Sequence, residues 1–109
     1  MIVNKTAYSV YILTNYNKTV LYTGITNNLE VRIIEHYLQA VSSKSFTGKY
    51  YVHFLLYFED YKYVNEAIAR EKEIKGWTRI KKEELIKSMN PDFKFLNVEV
   101  FGKWPPDKI

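Results

Sequence analysis

A small α+β domain is the fold class that these 109 residues predict, with elements in the order ββαβα(α) and a largely antiparallel three-stranded sheet flanked by helices. Three observations carry it. Residues 6–14 and 19–26 are rich in β-branched and aromatic side chains and flank an Asn-rich turn, the pattern of a hairpin. Residues 29–41, 64–75 and 78–89 space their apolar side chains as helices do. Between the first two of these helices lies an apolar, aromatic run at 50–57, which reads as a central strand.

Taken in order, residues 15–18 form a turn with asparagine where a positive φ is needed. A two- or four-residue loop sets Tyr11 directly opposite Tyr22; an odd loop puts them on opposite faces unless a bulge intervenes. Asn27 or Asn28 caps the next helix, and Asn27 with Glu30 has capping-box spacing. In that helix Val31, Ile33, Ile34, Tyr37, Leu38 and Val41 form an apolar face, opposite Asn28, Arg32, Glu35, His36 and Gln39. Residues 42–49 are expected to be a mobile polar loop, and Glu59-Asp60 to end the third strand. Gly76 closes the second helix as a C′ residue, and Asn90-Pro91 stops the last. Beyond it, alternating Phe93, Phe95, Val98 and Val100 are expected to lie back over the core, with the final five residues frayed. The length fits one domain over 1–109, with a core at about 7–97 and a tail at 98–109.

Composition excludes some chemistry. With no cysteine, thiolate catalysis and cysteine-held zinc are ruled out, and with two histidines so is a three-histidine metal site. The N-terminus lacks an apolar signal segment and no run approaches a membrane span, so a soluble cytoplasmic protein without membrane contact is expected. Lys plus Arg exceed Asp plus Glu by 16 minus 12, or four, a bias that permits a nucleic-acid partner.

Glu71 is the most informative residue. On a helical wheel it sits amid Val64, Ala67, Ile68, Ile74 and Lys75. A lone buried carboxylate costs on the order of several kcal/mol. It therefore binds a metal, pairs with a buried cation, or lies at a wet rim. Arg32 and His36, four apart, share one helix face, as a site or as a solvated stripe. Tyr11 and Tyr22 taken singly read as packing residues. His53, in the apolar strand, reads as a core or edge histidine.

Together these residues resemble the GIY-YIG nuclease superfamily, and the chain looks like one of its small single-domain bacterial members. The first signature strand is Val10-Tyr11-Ile12, the second Tyr22-Thr23-Gly24. Arg32 follows Gly24 by eight residues and His36 follows Arg32 by four. The stretch Glu66-Ala-Ile-Ala-Arg-Glu71 resembles the helix that carries the family's metal-binding glutamate. Asn97 or Asn90 matches its late asparagine. Val10 and Thr23 stand where the signature names isoleucine.

The resemblance implies hydrolysis of phosphodiester bonds, with DNA expected as the substrate. Glu71 would hold one divalent cation, Mg²⁺ or Mn²⁺. Arg32 would contact the scissile phosphate, and Tyr22 would act as base, partnered by Tyr11 and His36. Gly24 would let backbone approach the substrate or the helix. Lys44, Lys49, Lys72, Lys75, Arg79, Lys81 and Lys82 would carry nucleic-acid binding. They equally fit a solvated face, since they alternate with Glu30, Glu73, Glu83 and Glu84. A protein partner supplying specificity is compatible with so short a chain, and the oligomeric state is left open. Two other readings compete: a nuclease-like module that binds nucleic acid without cutting it, and a protein-interaction domain.

Overall fold

The computed structural model describes residues 7–42 and 51–105. Three strands, β1 (Tyr8–Thr14), β2 (Leu21–Thr26) and β3 (Phe54–Tyr61), form an antiparallel sheet in the order β2-β1-β3. Among the described residues four helices accompany it: α1 (Leu29–Ser42), α2 (Val64–Lys75), α3 (Arg79–Met89) and the short α4 (Asn97–Phe101). Among the described residues no helix is long and apolar enough to cross a membrane.

The central strand is β1, not the third strand. β1 is buried along Val10–Thr14 because it is paired on both edges and covered on both faces. Alternation sends Val10 and Ile12 to one face, where they pack with Leu56, Tyr57, Ala67 and Ile74 of α2 and Ile86 of α3. Tyr11 and Leu13 go to the other, with Ile33 of α1, Leu55 and Leu96. The third strand starts later than its apolar run and passes through Glu59 and Asp60 instead of stopping there. Its register slips at Ile12/Leu13, where Tyr57 and Leu55 face consecutive β1 residues and Leu56 is the extra one.

The hairpin loop has six residues, because β2 begins at Leu21. Asn15 organises it: Oδ1 accepts from the Thr19 and Val20 amides, and Nδ2 donates to the Thr19 hydroxyl. The positive φ falls on Lys18 (58°), not on an asparagine. The even length preserves facing but slides the register by two, so Tyr11 stands opposite Gly24 and Tyr22 opposite Leu13.

Asn28 is the α1 cap, its Oδ1 accepting from the Val31 amide at 3.1 Å. The buried stripe of α1 is Ile33, His36 and Ala40, while Val31 and Leu38 are about half exposed. The expected apolar face was thus rotated, and His36 belongs inside. The Val41 side chain and residues 43–50, which hold most of the expected polar loop, lie outside the described residues.

α2 has the expected bounds, but Gly76 caps it at φ −83°, in the ordinary helical region, not as a left-handed C′ residue. Thr78 caps α3, accepting from the Lys81 amide. The tail lies over the core through Phe93 and Phe95 and then, within the short helix α4, through Val100, while Val98 is exposed. Of the expected frayed end, only 105 is described.

Candidate active site

The site is built on Tyr11 in the central strand. Its ring lies across Gly24 on β2: a Cβ there would come within 2.4 Å of Tyr11 Cζ and its hydroxyl. Only glycine leaves room for that ring. The close approach at Gly24 is to the Tyr11 ring.

The Tyr11 hydroxyl is 3.1 Å from His36 Nε2. His36 is 1% exposed. Burial, then the Arg32 charge, lowers its pKa to about 4, so the ring is neutral at physiological pH. Burial pushes the Tyr11 phenol up to about 12, against a smaller downward pull from the adjacent Arg32 guanidinium. The Tyr22 and Glu71 charges add to the rise. The protonation pattern that satisfies all three groups has Tyr11 donating to Nε2 and accepting from Arg32. The Tyr22 ring meets the edge of His36 at 5.3 Å and tilts towards Tyr11 at 6.5 Å, so both tyrosines share the face that α1 covers.

Arg32 also pairs with Glu35 at 2.9 Å. Burial works against its charge, but hydrogen bonds to Glu35 and Tyr11 outweigh this and raise its pKa. Glu71 arrives from α2, between the buried Ala67 and Ile74, with 14% of its side chain exposed. It pairs with the half-exposed Lys75 at 2.9 Å, while its neighbours Val64 and Ile68 are exposed. The cation that Glu71 pairs with is half-exposed, not buried, so of the three accounts the structure comes nearest to a rim position, with an ion pair there.

The Glu71 carboxylate, with its charge felt at the Tyr11 phenol, offers the hard oxygen donor that suits Mg²⁺ or Mn²⁺, which keep most of their water. Among the described residues no group of three His, Asp or Glu converges as a metal cage. A cation here would thus rest on Glu71 together with water and substrate oxygens.

Other residues singled out in the sequence have contacts of their own. Asn97 is fully buried. Its Oδ1 accepts from the Leu55 amide at 2.6 Å, and its Nδ2 donates to the His53 carbonyl at 2.9 Å. Asn90 joins the Leu56 carbonyl to the Lys94 backbone in the same way. Both asparagines seal the outer edge of β3. Thr23 is buried on the face turned away from the tyrosines, its hydroxyl unpartnered. His53 is packed against Phe54, Tyr37 and Trp104.

Of the expected nucleic-acid cations, Lys75 is held by Glu71. Arg79 is engaged by Glu83 and by the Lys18 and Thr19 carbonyls. Lys81 lies over the Trp77 ring at 4.5 Å. Lys72 is exposed, Lys82 is half-buried, and Lys44 and Lys49 lie outside the described residues.

The sequence reading missed a network on the sheet face opposite the two tyrosines. Glu59 accepts from Tyr57, Tyr61 and Arg70 Nε, and Arg70 also pairs with Glu73 and covers Trp77. Burial pushes the Glu59 pKa up, yet these hydrogen bonds outweigh it and hold it below the usual value. The network ties α2 to β3 one residue before Glu71. Its signal was Tyr-x-Glu-x-Tyr at 57–61, three polar tips on one strand face.

A three-stranded antiparallel sheet with tyrosines facing an Arg-x-x-x-His helix, approached by a helical glutamate, defines a small catalytic-domain architecture. The chain belongs to the GIY-YIG family, whose catalytic-domain model matches residues 7–84. This is a nuclease family whose members generally use a divalent metal and act on nucleic acid. Asn90 and Asn97 fall beyond the matched segment. The chain is 40% identical over 78 residues to a UPF0213 protein of Natronomonas pharaonis, covering 71% of this chain and 87% of that one. It is 44% identical over 79 residues to a UPF0213 protein of Clostridium perfringens, covering 72% and 82%. The solution NMR structure of a UPF0213 protein from Bacillus halodurans is similar in fold, with a TM-score of 0.52 at 24% identity, covering 84% of this chain and 95% of that one.

Proposed function

We propose that this protein is a metal-dependent endonuclease that hydrolyses phosphodiester bonds in DNA, with Arg32, Tyr22 and Glu71 acting on substrate and Tyr11 and His36 positioning them. The observation that carries the reading is the Tyr11 hydroxyl, held between neutral His36 and Arg32 beside Tyr22 and the Glu71 charge. A core needs no such cluster for packing.

Arg32 gives up its exposed pairing with Glu35, worth about 0.3–0.5 kcal/mol, and turns to a phosphate oxygen, where planar donors match the charge. It stabilises the negative charge that develops in the transition state. Lys75 likewise releases Glu71, whose carboxylate is then free to hold the cation. When bound, Mg²⁺ or Mn²⁺ supplies charge neutralisation at the phosphate and the leaving oxygen.

The nucleophilic water gives its proton to a tyrosine in the phenolate form, the phenol's own proton having first left to solvent. Tyr11 is a poor acceptor: its phenol is pushed up to about 12 and its proton is committed to His36. Tyr22, less buried and against the His36 edge, is the base. Tyr11 then acts through others, fixing Arg32 and the imidazole.

Replacement tests these roles. Arg32→Ala and Tyr22→Phe are each expected to lower kcat by about 10²–10⁴-fold, and Tyr11→Phe by less. Metal-dependent cleavage that persists in Arg32→Ala, with contaminating nuclease excluded, contradicts the assignment.

A further inference from the structure

We propose that an apolar cup beside the site receives one unpaired nucleobase of the substrate strand, so that the preferred substrates carry an unpaired nucleotide next to the scissile phosphate. This rests on the nuclease reading and names its substrate class.

The cup, of about 210 Å³, is lined by Tyr8, Ile25, Thr26, Asn27, Val64 and Ile68. Val64 and Ile68 are 42% and 40% exposed, on a helix whose Ala67 and Ile74 are fully buried. Folding alone does not explain a valine and an isoleucine left open side by side.

Position argues for the occupant. The α2 wall of the cup continues the helix face that carries Glu71. Beyond Tyr22 and Gly24, β2 carries Ile25 and Thr26, with Asn27 just after it, and Ile25 turns to the sheet face opposite Tyr22. On α2, Ile68 precedes Glu71 by three residues, about 4.5 Å along the axis, and Val64 precedes it by about 10 Å. Those distances are the scale of one nucleotide step. A strand with a phosphate at Arg32 and Glu71 therefore brings the neighbouring base over the cup.

Chemistry agrees. The lining offers one aromatic ring, Tyr8, for stacking, and three aliphatic side chains for a base's second face. Asn27 brings an amide with both donor and acceptor to a base edge. Just ahead of Val64, Lys62 lies over the exposed Tyr63 ring at 5.6 Å and places a positive charge where the next phosphate would pass. A base paired within a duplex cannot enter the cup, whereas one in a flap, bulge or single strand can.

The test is an abasic scan. Single abasic positions are moved along the unpaired arm of a flapped DNA, and binding is read by fluorescence anisotropy in EDTA, without turnover. Wild type is expected to lose about tenfold in affinity at one position and little elsewhere. Ile68→Ser and Tyr8→Leu are expected to bind the intact arm about tenfold more weakly and to lose that position's signature; circular dichroism checks their fold.

A flat scan in the wild type, or a signature retained in both variants, overturns the cup. So does a wild-type dimer, seen by sedimentation, that Ile68→Ser converts to monomer, because a second copy then fills the groove. Cleavage in Mg²⁺ is read separately. A positional signature without cleavage leaves the cup and removes the nuclease reading. Cleavage with a flat scan does the reverse, and no binding at all removes both.

Discussion

Gly24 and Tyr11 show what a single residue decides here. The glycine is opposite the tyrosine in the ladder, and the phenol lies where a Cβ would be, at 2.4 Å. Gly24→Ala is expected to cost about 1–3 kcal/mol through overpacking and to displace the hydroxyl from His36, lowering cleavage together with stability. Chemical denaturation and a cleavage assay on the same preparation check it. His36 gives a pH signature. Its folded pKa is depressed, so below 6.5 the unfolded chain takes up a proton that the folded chain refuses. Stability is therefore lost as pH falls from 6.5 towards 4, by about 3 kcal/mol for a shift of that size. His36→Gln is expected to flatten that part of the stability profile, read as urea midpoints at several pH values. An equally steep decline in the variant would show that His36 is not held neutral.

Among the elements, the third strand depends most on its partners. It has one neighbour in the sheet, and Asn97 and Asn90 satisfy its outer backbone groups. Asn97→Ala leaves a buried amide and a buried carbonyl unpaired, and is expected to cost about 2–4 kcal/mol. The turnover of the molecules that stay folded should be unchanged, which separates a clamp from a catalytic asparagine. Thermal melts beside kcat measured well below the melting point decide between them. The sequence told these elements apart by period, and helices α2 and α3 came out within a residue of their bounds. It did not tell which strand is central, because the 50–57 run is more apolar than β1 although β1 lies in the middle of the sheet. Nor could it orient α1: Val31 and Leu38 look like core and are half exposed, while a buried His36 is explained only by a Tyr11 hydroxyl that arrives from another element. Local pattern carries no information about a partner 25 residues away.

Across the whole molecule, a net charge of +4 sets the character of nucleic-acid binding. Of the cations expected to bind nucleic acid, Lys75, Arg79 and Lys81 each have a partner within the fold, which leaves fewer of that group ready for phosphates. The slope of log affinity against log salt is expected to be shallow, about −3, and filter binding or anisotropy from low to moderate salt measures it. The site residues were legible because their chemistry recurs at fixed spacing: Tyr11, Tyr22, Arg32 and His36 fall together around one hydroxyl, with the charge of Glu71 within reach. The Glu59 network escaped because tyrosines and a glutamate on a strand look like surface until Arg70 is brought over them.

The most direct measurement is cleavage of a labelled panel of duplex, single-stranded, flapped and four-way DNA in Mg²⁺, Mn²⁺ or EDTA, with wild type and Glu71→Ala side by side. The account predicts products only with metal and only from wild type, with the flapped substrate cut in preference to the intact duplex. Products of equal yield in EDTA, or from Glu71→Ala, would contradict it.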